Sequence, residues 1–279
     1  MTSHSSPVVV GIADKQPTAL RFAVAEAHRR ATGLRVVHSA AVPAAEFYVA
    51  AEVVEEIRDA GRNVLHDAQH FIEQEVTPVP VEYVLTASPP IEALDVEAQE
   101  AGLLVIGVDD ISWPDRLLGG AIASYTALHA ACPVVVVPER SYPTPLSGGV
   151  VIALDGDTPA SGPLRFAFEQ AGPRGNVLHV LHAIPEGTAA PDVEGVRANL
   201  GEVLAGWSDT FPEVHVQLSF PIDEAEEALA RATEHAELVV VGRPHRHGLP
   251  IALARPLAAE VLRHAHCPVA VVPADYQGA

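Results

Sequence analysis

The 279-residue chain reads as an α/β protein built of two tandem, doubly wound, parallel five-stranded sheets. Three observations predict this. The chain repeats itself: Leu103-Leu104-Val105-Ile106-Gly107 returns as Leu238-Val239-Val240-Val241-Gly242, and Cys132-Pro133-Val134-Val135-Val136-Val137-Pro138 returns as Cys267-Pro268-Val269-Ala270-Val271-Val272-Pro273. Both pairs stand 135 residues apart, so the stretch from each glycine to each cysteine carries no gap. The openings repeat as well, Val8 to Ala13 returning as Val150 to Asp155, 142 residues on. Within each copy, short continuous apolar runs alternate with amphipathic stretches, the pattern of parallel strands buried on both faces and the helices that cross between them.

Taken in order, Val8 to Ile12 is the first buried strand. Thr18 is placed to cap a helix with Leu20, Val24 and Ala27 on one face and a stop at Gly33. Leu34 to His38 is the second strand. Val49, Val53, Ile57, Val64, Leu65, Ala68, Phe71 and Ile72 then form the stripe of a long helix. Val79 to Leu85 alternates as the third strand, and Ile91, Leu94 and Ala98 mark a helix before the strand at Leu103. A last helix over Ile122 to Ala131 leads into the strand Val134 to Val137. The second copy repeats this order, with Val196, Leu200, Val203, Leu204, Trp207 and Phe211 along its long helix. Pro143, Pro145, Gly148 and Gly149 place a linker in Glu139 to Gly149, giving domains 1–140 and 148–279.

Composition limits the partners. Lys+Arg 17 against Asp+Glu 36 leaves a charge of −19 with histidine neutral, and Lys15 is the single lysine. Nucleic acid and anionic membrane both require a basic face to displace counterions, so neither is expected. A protein or a small anionic ligand is. With 48% hydrophobic residues the chain buries real cores. Two widely separated cysteines and no apolar leader segment at Met1 point to a reducing cytoplasm.

Two compact five-strand units, each closing in Cys-Pro-Val-x-Val-Val-Pro after a glycine-terminated strand, resemble a tandem universal stress protein over nearly the whole chain. The resemblance implies an adenine nucleotide alpha hydrolase-like, flavodoxin-like three-layer sandwich, and a role in stress response. It also implies pairing of the last strands as an intrachain pseudo-dimer; a further homodimer stays open. Nucleotide-binding members of that family carry an Asp at the end of strand one and G-x2-G-x9-G-[ST] after strand four. Glycines there let the backbone approach phosphates, and the Asp accepts a hydrogen bond from ribose or base.

Carried onto the first copy, the strand-four glycine is Gly107, the second glycine position is Asp110, and the closing pair falls on Gly120-Ala121. A carboxylate at Asp110 would face the phosphates. The strand-one position is Ala13, with Asp14 one residue late. ATP binding is therefore expected to be lost in domain 1. In the second copy Asp155 stands at the strand-one position and Gly242 opens the loop, but the second glycine position is His245 and the closing pair is Arg255-Pro256. Pro256 suits a helix start yet removes an N–H and the hydroxyl. Arg243, Arg246 and Arg255 supply side chains that pair with an anion instead. The candidate ligand-binding residues are thus Asp155, Gly242, Arg243, His245 and Arg255, with Gly107 and Gly120 as their counterparts in the first copy. ATP or another adenine nucleotide is the cofactor class to test in domain 2.

Other chemistry finds less support. His245-Arg246-His247, with His264 and His266 further on, invites a metal reading, but the arginines repel cations; no metal is expected there, and a response to pH is the more economical use. Cys132 and Cys267, each before a proline and an apolar strand, read as small buried hydrophobes. A Walker-type phosphate loop needs Gly-Lys-Ser/Thr, and Lys15 lies between Asp14 and Gln16. No G-x-S-x-G or H-E-x-x-H occurs. Ser147-Gly148-Gly149 hints at the phosphate loop of ATP pyrophosphatases but precedes its strand instead of following it. A non-catalytic regulatory or binding role is the leading expectation, and ATP binding through domain 2 with weak hydrolysis is the alternative.

Overall fold

The computed structural model describes residues 6–42, 50–108, 116–139, 148–154, 160–175, 177–188, 190–243 and 257–278. The chain divides into two compact units, residues 1–140 and 141–278. Unit 1 runs β1 (Val8–Gly11), α1 (Pro17–Arg29), β2 (Leu34–Ser39), α2 (Ala51–Glu73), β3 (Val81–Thr86), α3 (Pro90–Glu97), β4 (Leu103–Val108), α4 (Arg116–His129) and β5 (Val134–Pro138). Its strands are parallel in the order β3-β2-β1-β4-β5. Val8, Val9 and Val10 are fully buried because β1 has a strand on either side and helices on both faces, so alternation is unnecessary and an unbroken valine run fits. Val8 pairs with Leu34 on one side and Leu103 on the other.

Unit 2 runs β6 (Val150–Ala153), α5 (Ser161–Ala171), β7 (Val177–Leu181), α6 (Ala190–Thr210), β8 (His215–Ser219), α7 (Ala225–Ala232), β9 (Leu238–Gly242), α8 (Leu257–His264) and β10 (Val269–Val272). A single 3-10 turn, Gly172–Arg174, ends α5. The order β8-β7-β6-β9-β10, again parallel, repeats that of unit 1. Both units are doubly wound α/β sheets, as the alternation predicts. Among the described residues no helix is long and apolar enough to cross a membrane.

The structure corrects several details. Thr18 does not cap α1: the helix begins one residue earlier at Pro17, whose fixed φ suits a first turn, and no side chain of its N-cap Gln16 bonds the helix amides. The stop is not Gly33 either. Ala31 takes the left-handed position (φ +50°), fixed by Thr32 N donating to Ala27 O and Ala31 N donating to His28 O, both at 3.0 Å. This two-bond closure offsets the strain of a side chain at positive φ. Helix α4 starts at Arg116, well before Ile122, because Leu117 and Leu118 favour helix strongly enough to carry Gly119 and Gly120 inside it. On α6, Leu200 and Leu204 are buried, but Val203 is 49% exposed, so the core-facing stripe is narrower than expected. Val49 of the α2 stripe and Ser147 lie outside the described residues.

Candidate functional site

In an open α/β sheet the crevice lies at the carboxyl edge where strand order reverses, and helix N-termini direct their amides toward it. In unit 1 that point is between β1 and β4. Leaving β1, Ile12 N donates to Val37 O at 3.0 Å, and the chain turns at Ala13. Gln16, only 2% exposed, then bridges the two strand ends. Ala13 N donates to its Oε1 at 3.1 Å, and its Nε2 donates to Gly107 O at 3.1 Å. A methyl group built on Gly107 would meet Gln16 Cδ at 2.8 Å and Ala19 Cβ at 3.0 Å. The space beside this glycine is therefore already occupied by the chain's own side chains.

The amides at the start of α1 are also engaged. Thr18 N and Ala19 N donate to Oε2 and Oε1 of Glu139, at 3.1 and 3.0 Å. A carboxylate bound at a helix start satisfies two orphan donors and the helix dipole together. Glu139 follows β5 directly, so the strand that closes unit 1 supplies the anion for its first helix. Asp14, exposed, lines a cavity of about 320 Å³ with Lys15, Pro17 and Leu20 on one side and Asp67 and Phe71 of α2 on the other.

Unit 2 solves the same positions differently. The residue 135 positions after Glu139 is Ala274, and Gly162 N donates to its backbone O at 3.2 Å. Pro163 stands where unit 1 has Ala19 and offers no N–H. Among the described residues, a methyl group beside Gly242 would meet Pro163 Cγ at 3.4 Å, which is ordinary contact. Gly242 is exposed and Arg243 half-buried, with Arg243 N donating to Val272 O at 2.9 Å. Gly242 and Arg243 thus sit together at the end of β9. Gly120 lies in the second turn of α4 rather than at a helix start. Asp110, Asp155, His245, Arg246, His247, Arg255 and Pro256 lie outside the described residues.

Sequence reasoning missed two histidines. His38 Nδ1 donates to Ile12 O at 2.9 Å, and His182 Nδ1 donates to Leu154 O at 2.9 Å. Each stands at the end of its unit's second strand and ties it to the exit of the first. A carbonyl only accepts, so the proton sits on Nδ1 and Nε2 is left as the second functional atom. The signal was present: Val36-Val37-His38 and Val180-Leu181-His182 occupy matching places in the repeat.

His264, His266 and Cys267 serve the scaffold. His264 Nε2 lies 3.3 Å from Glu260 one turn earlier, and His266 Nδ1 lies 3.4 Å from Thr233 Oγ1. Among the described residues no group of three or more His, Cys, Asp or Glu converges on a metal position. Cys267 is buried, and desolvation of its thiolate pushes the thiol from 9.0 up to about 12. Native chain should therefore leave Cys267 unmodified by a thiol-directed disulfide reagent at pH 8, while denatured chain reacts at once. The same shift makes a sign-definite contribution to stability: it is fully present below about pH 9 and is lost as pH rises toward 12, because the unfolded thiol ionises first. Stoichiometric labelling of native Cys267 at pH 8 would contradict this.

Comparison with known proteins covers both units. The universal stress protein family model matches residues 5–138 and 149–273. A universal stress protein of Mycobacterium tuberculosis is 29% identical over 96% of this chain and 97% of its own length. A second from the same organism is 28% identical over 98% of this chain and 99% of its own. Among solved structures, a universal stress protein from Archaeoglobus fulgidus aligns over 97% of both chains with a TM-score of 0.74 at 16% identity, a likeness of fold.

Proposed function

Since the chain belongs to the universal stress protein family in both of its halves, we propose that it is a non-catalytic regulatory or binding protein of the stress response, working in the cytoplasm, with its ligand site in unit 2. The observation that carries this reading is Gln16. Its amide spans β1 and β4 and fills the space beside Gly107, and the amides of α1 are held by the Glu139 carboxylate. A phosphate entering there would have to displace a built-in anion on a chain of charge −19. Among the described residues, unit 2 has ordinary contact beside Gly242, and Arg243 follows it in the chain. Asp155, Gly242, Arg243, His245 and Arg255 are the residues we assign to a small anionic ligand, an adenine nucleotide being the first class to test.

The experiment is a calorimetric titration of ATP into the full chain, with chromatography of any nucleotide released from the purified protein. At most one ATP per chain is expected, lost in Asp155→Ala and unchanged in Asp14→Ala. Two ATP per chain would overturn the closed first site. The alternative, in which unit 2 binds ATP and hydrolyses it slowly, is favoured by the exposure of Gly242. It is separated by phosphate release that Asp155→Ala abolishes.

A further inference from the structure

Helix α2 carries His66, His70 and Glu73 at i, i+4 and i+7, a spacing that sets all three on one face. His66 and His70 are exposed. Their rings stand edge to face, centroids 4.3 Å apart at 72°, and their Nε2 atoms are 3.0 Å apart. At that distance one Nε2–H donates to the lone pair of the other Nε2, so the two rings hold complementary roles with their ring edges turned to each other. A divalent transition metal bound at about 2.0–2.1 Å from each of two imidazole nitrogens in cis or tetrahedral geometry holds them roughly 2.8–3.4 Å apart. The observed separation falls within that span.

The surroundings favour the same ion. His70 Nδ1 lies 3.8 Å from Glu73 Oε2, longer than a hydrogen bond but close enough for a small side-chain adjustment to bring the carboxylate onto the outer nitrogen, the usual support of a ligating histidine. Gln69 Nε2 in turn donates to Glu73 Oε1 at 2.8 Å. One turn before His66, the Arg62 guanidinium is held by Asp59 and lies 3.8 Å from Glu55, so the nearest cation on this face is neutralised. Across the groove Lys15 pairs with Asp67 at 3.3 Å.

We propose that His66 and His70 form a chelate for one divalent transition-metal ion, with Glu73 positioning His70. Copper(II) binds it most tightly, by the general order of affinities for nitrogen ligands. No third His, Cys, Asp or Glu among the described residues completes the set. Water or a donor from a second molecule takes the remaining positions, and the ion exchanges readily. The ring that donates frees its Nε2 by carrying its proton on Nδ1 instead, and both rings must present a bare Nε2 to the ion, so protons compete with the metal for the site.

The test is equilibrium dialysis of the full chain against copper(II) and nickel(II) chloride near pH 7.5, with electron paramagnetic resonance of the copper form. His66→Gln and His70→Gln should each weaken the tightest site by more than about tenfold, the lower end of what losing even a supporting partner produces, and should remove one equatorial nitrogen from the spectrum. Both side chains are exposed, so the variants should melt as the parent does. The double variant His245→Gln/His247→Gln should leave this site intact. The proposal fails if the tightest site survives in both His66→Gln and His70→Gln, if His245→Gln/His247→Gln removes it, or if the parent chain binds neither ion.

Discussion

Phe168→Ala is expected to lower the unfolding free energy reported from unit 2 by about 3–5 kcal/mol. The side chain is fully buried, and it stacks on Trp207 at 5.8 Å and on Phe211 at 5.4 Å, with interplanar angles of 17° and 24°. Removing the ring takes away its own burial and leaves a cavity faced by two large rings from α6 and the residue just after it, which cannot collapse onto a methyl group. Arg165, one turn earlier on α5, lies 5.3 Å over the Trp207 ring, so the loss also weakens a cation–π contact. In a Trp113→Phe background Trp207 is the single tryptophan, and its emission during denaturant unfolding reads the effect. Val203→Ala, on the same helix but half exposed, should stay within about 0.5 kcal/mol. A change below about 1.5 kcal/mol for Phe168→Ala would mean that these rings do not hold α6 to the unit.

The contrast between Phe168 and Val203 marks what the sequence could and could not convey. Buried parallel strands announce themselves, because a strand covered on both faces tolerates nothing but apolar residues; β1, β4, β5 and β10 were legible for that reason. The repeat fixed their order twice. A helix stripe is less sharply readable, since Val203 and Leu204 share the periodicity while the packing takes Leu204 alone. Helix ends were read least well. Thr18 has the right chemistry for a cap, but the helix starts before it and a carboxylate 121 residues away accepts from the Thr18 amide itself, and nothing local to Thr18 encodes that. The candidate site divides along the same line. Its glycines, Gly107 and Gly242, were found by register in the repeat. Gln16, which closes the first crevice, was invisible because a glutamine after an Asp-Lys pair looks like a solvated turn; only the approach of β4 gives its Nε2 the Gly107 carbonyl. His38 and His182 needed nothing beyond the alignment of the two copies at the end of the second strand.

Gly162→Ala should be a damaging single-methyl change in unit 2, at about 2–4 kcal/mol, from overpacking together with a lost hydrogen bond. The added carbon would stand 2.3 Å from Pro273 O and 2.7 Å from Ala274 O. Both obstacles are backbone, and neither can rotate away. Either the start of α5 or the segment after β10 must move, breaking the bond from Gly162 N to Ala274 O. The segment is held further along by Tyr276, whose hydroxyl donates to Glu169 Oε2 at 2.9 Å and whose ring meets Phe166 edge to face at 5.7 Å. Those anchors lie on α5 itself, so the clash opposes contacts that hold the same two segments together, and its relief strains the first turn of α5 and with it Pro163, the residue beside Gly242. The variant should therefore lower the melting temperature, speed hydrogen exchange at Tyr276, and weaken any anion that unit 2 binds through Gly242 and Arg243. The matching position in unit 1 is Thr18, where a side chain is already accommodated and the capping group is the flexible Glu139 carboxylate. Thr18→Ala should change stability by no more than about 0.5 kcal/mol. If Gly162→Ala melts as the parent does, the close approach of α5 to Pro273 and Ala274 is wrong. If it melts lower but keeps full ligand affinity, the wall formed by Pro163 has no part in the site.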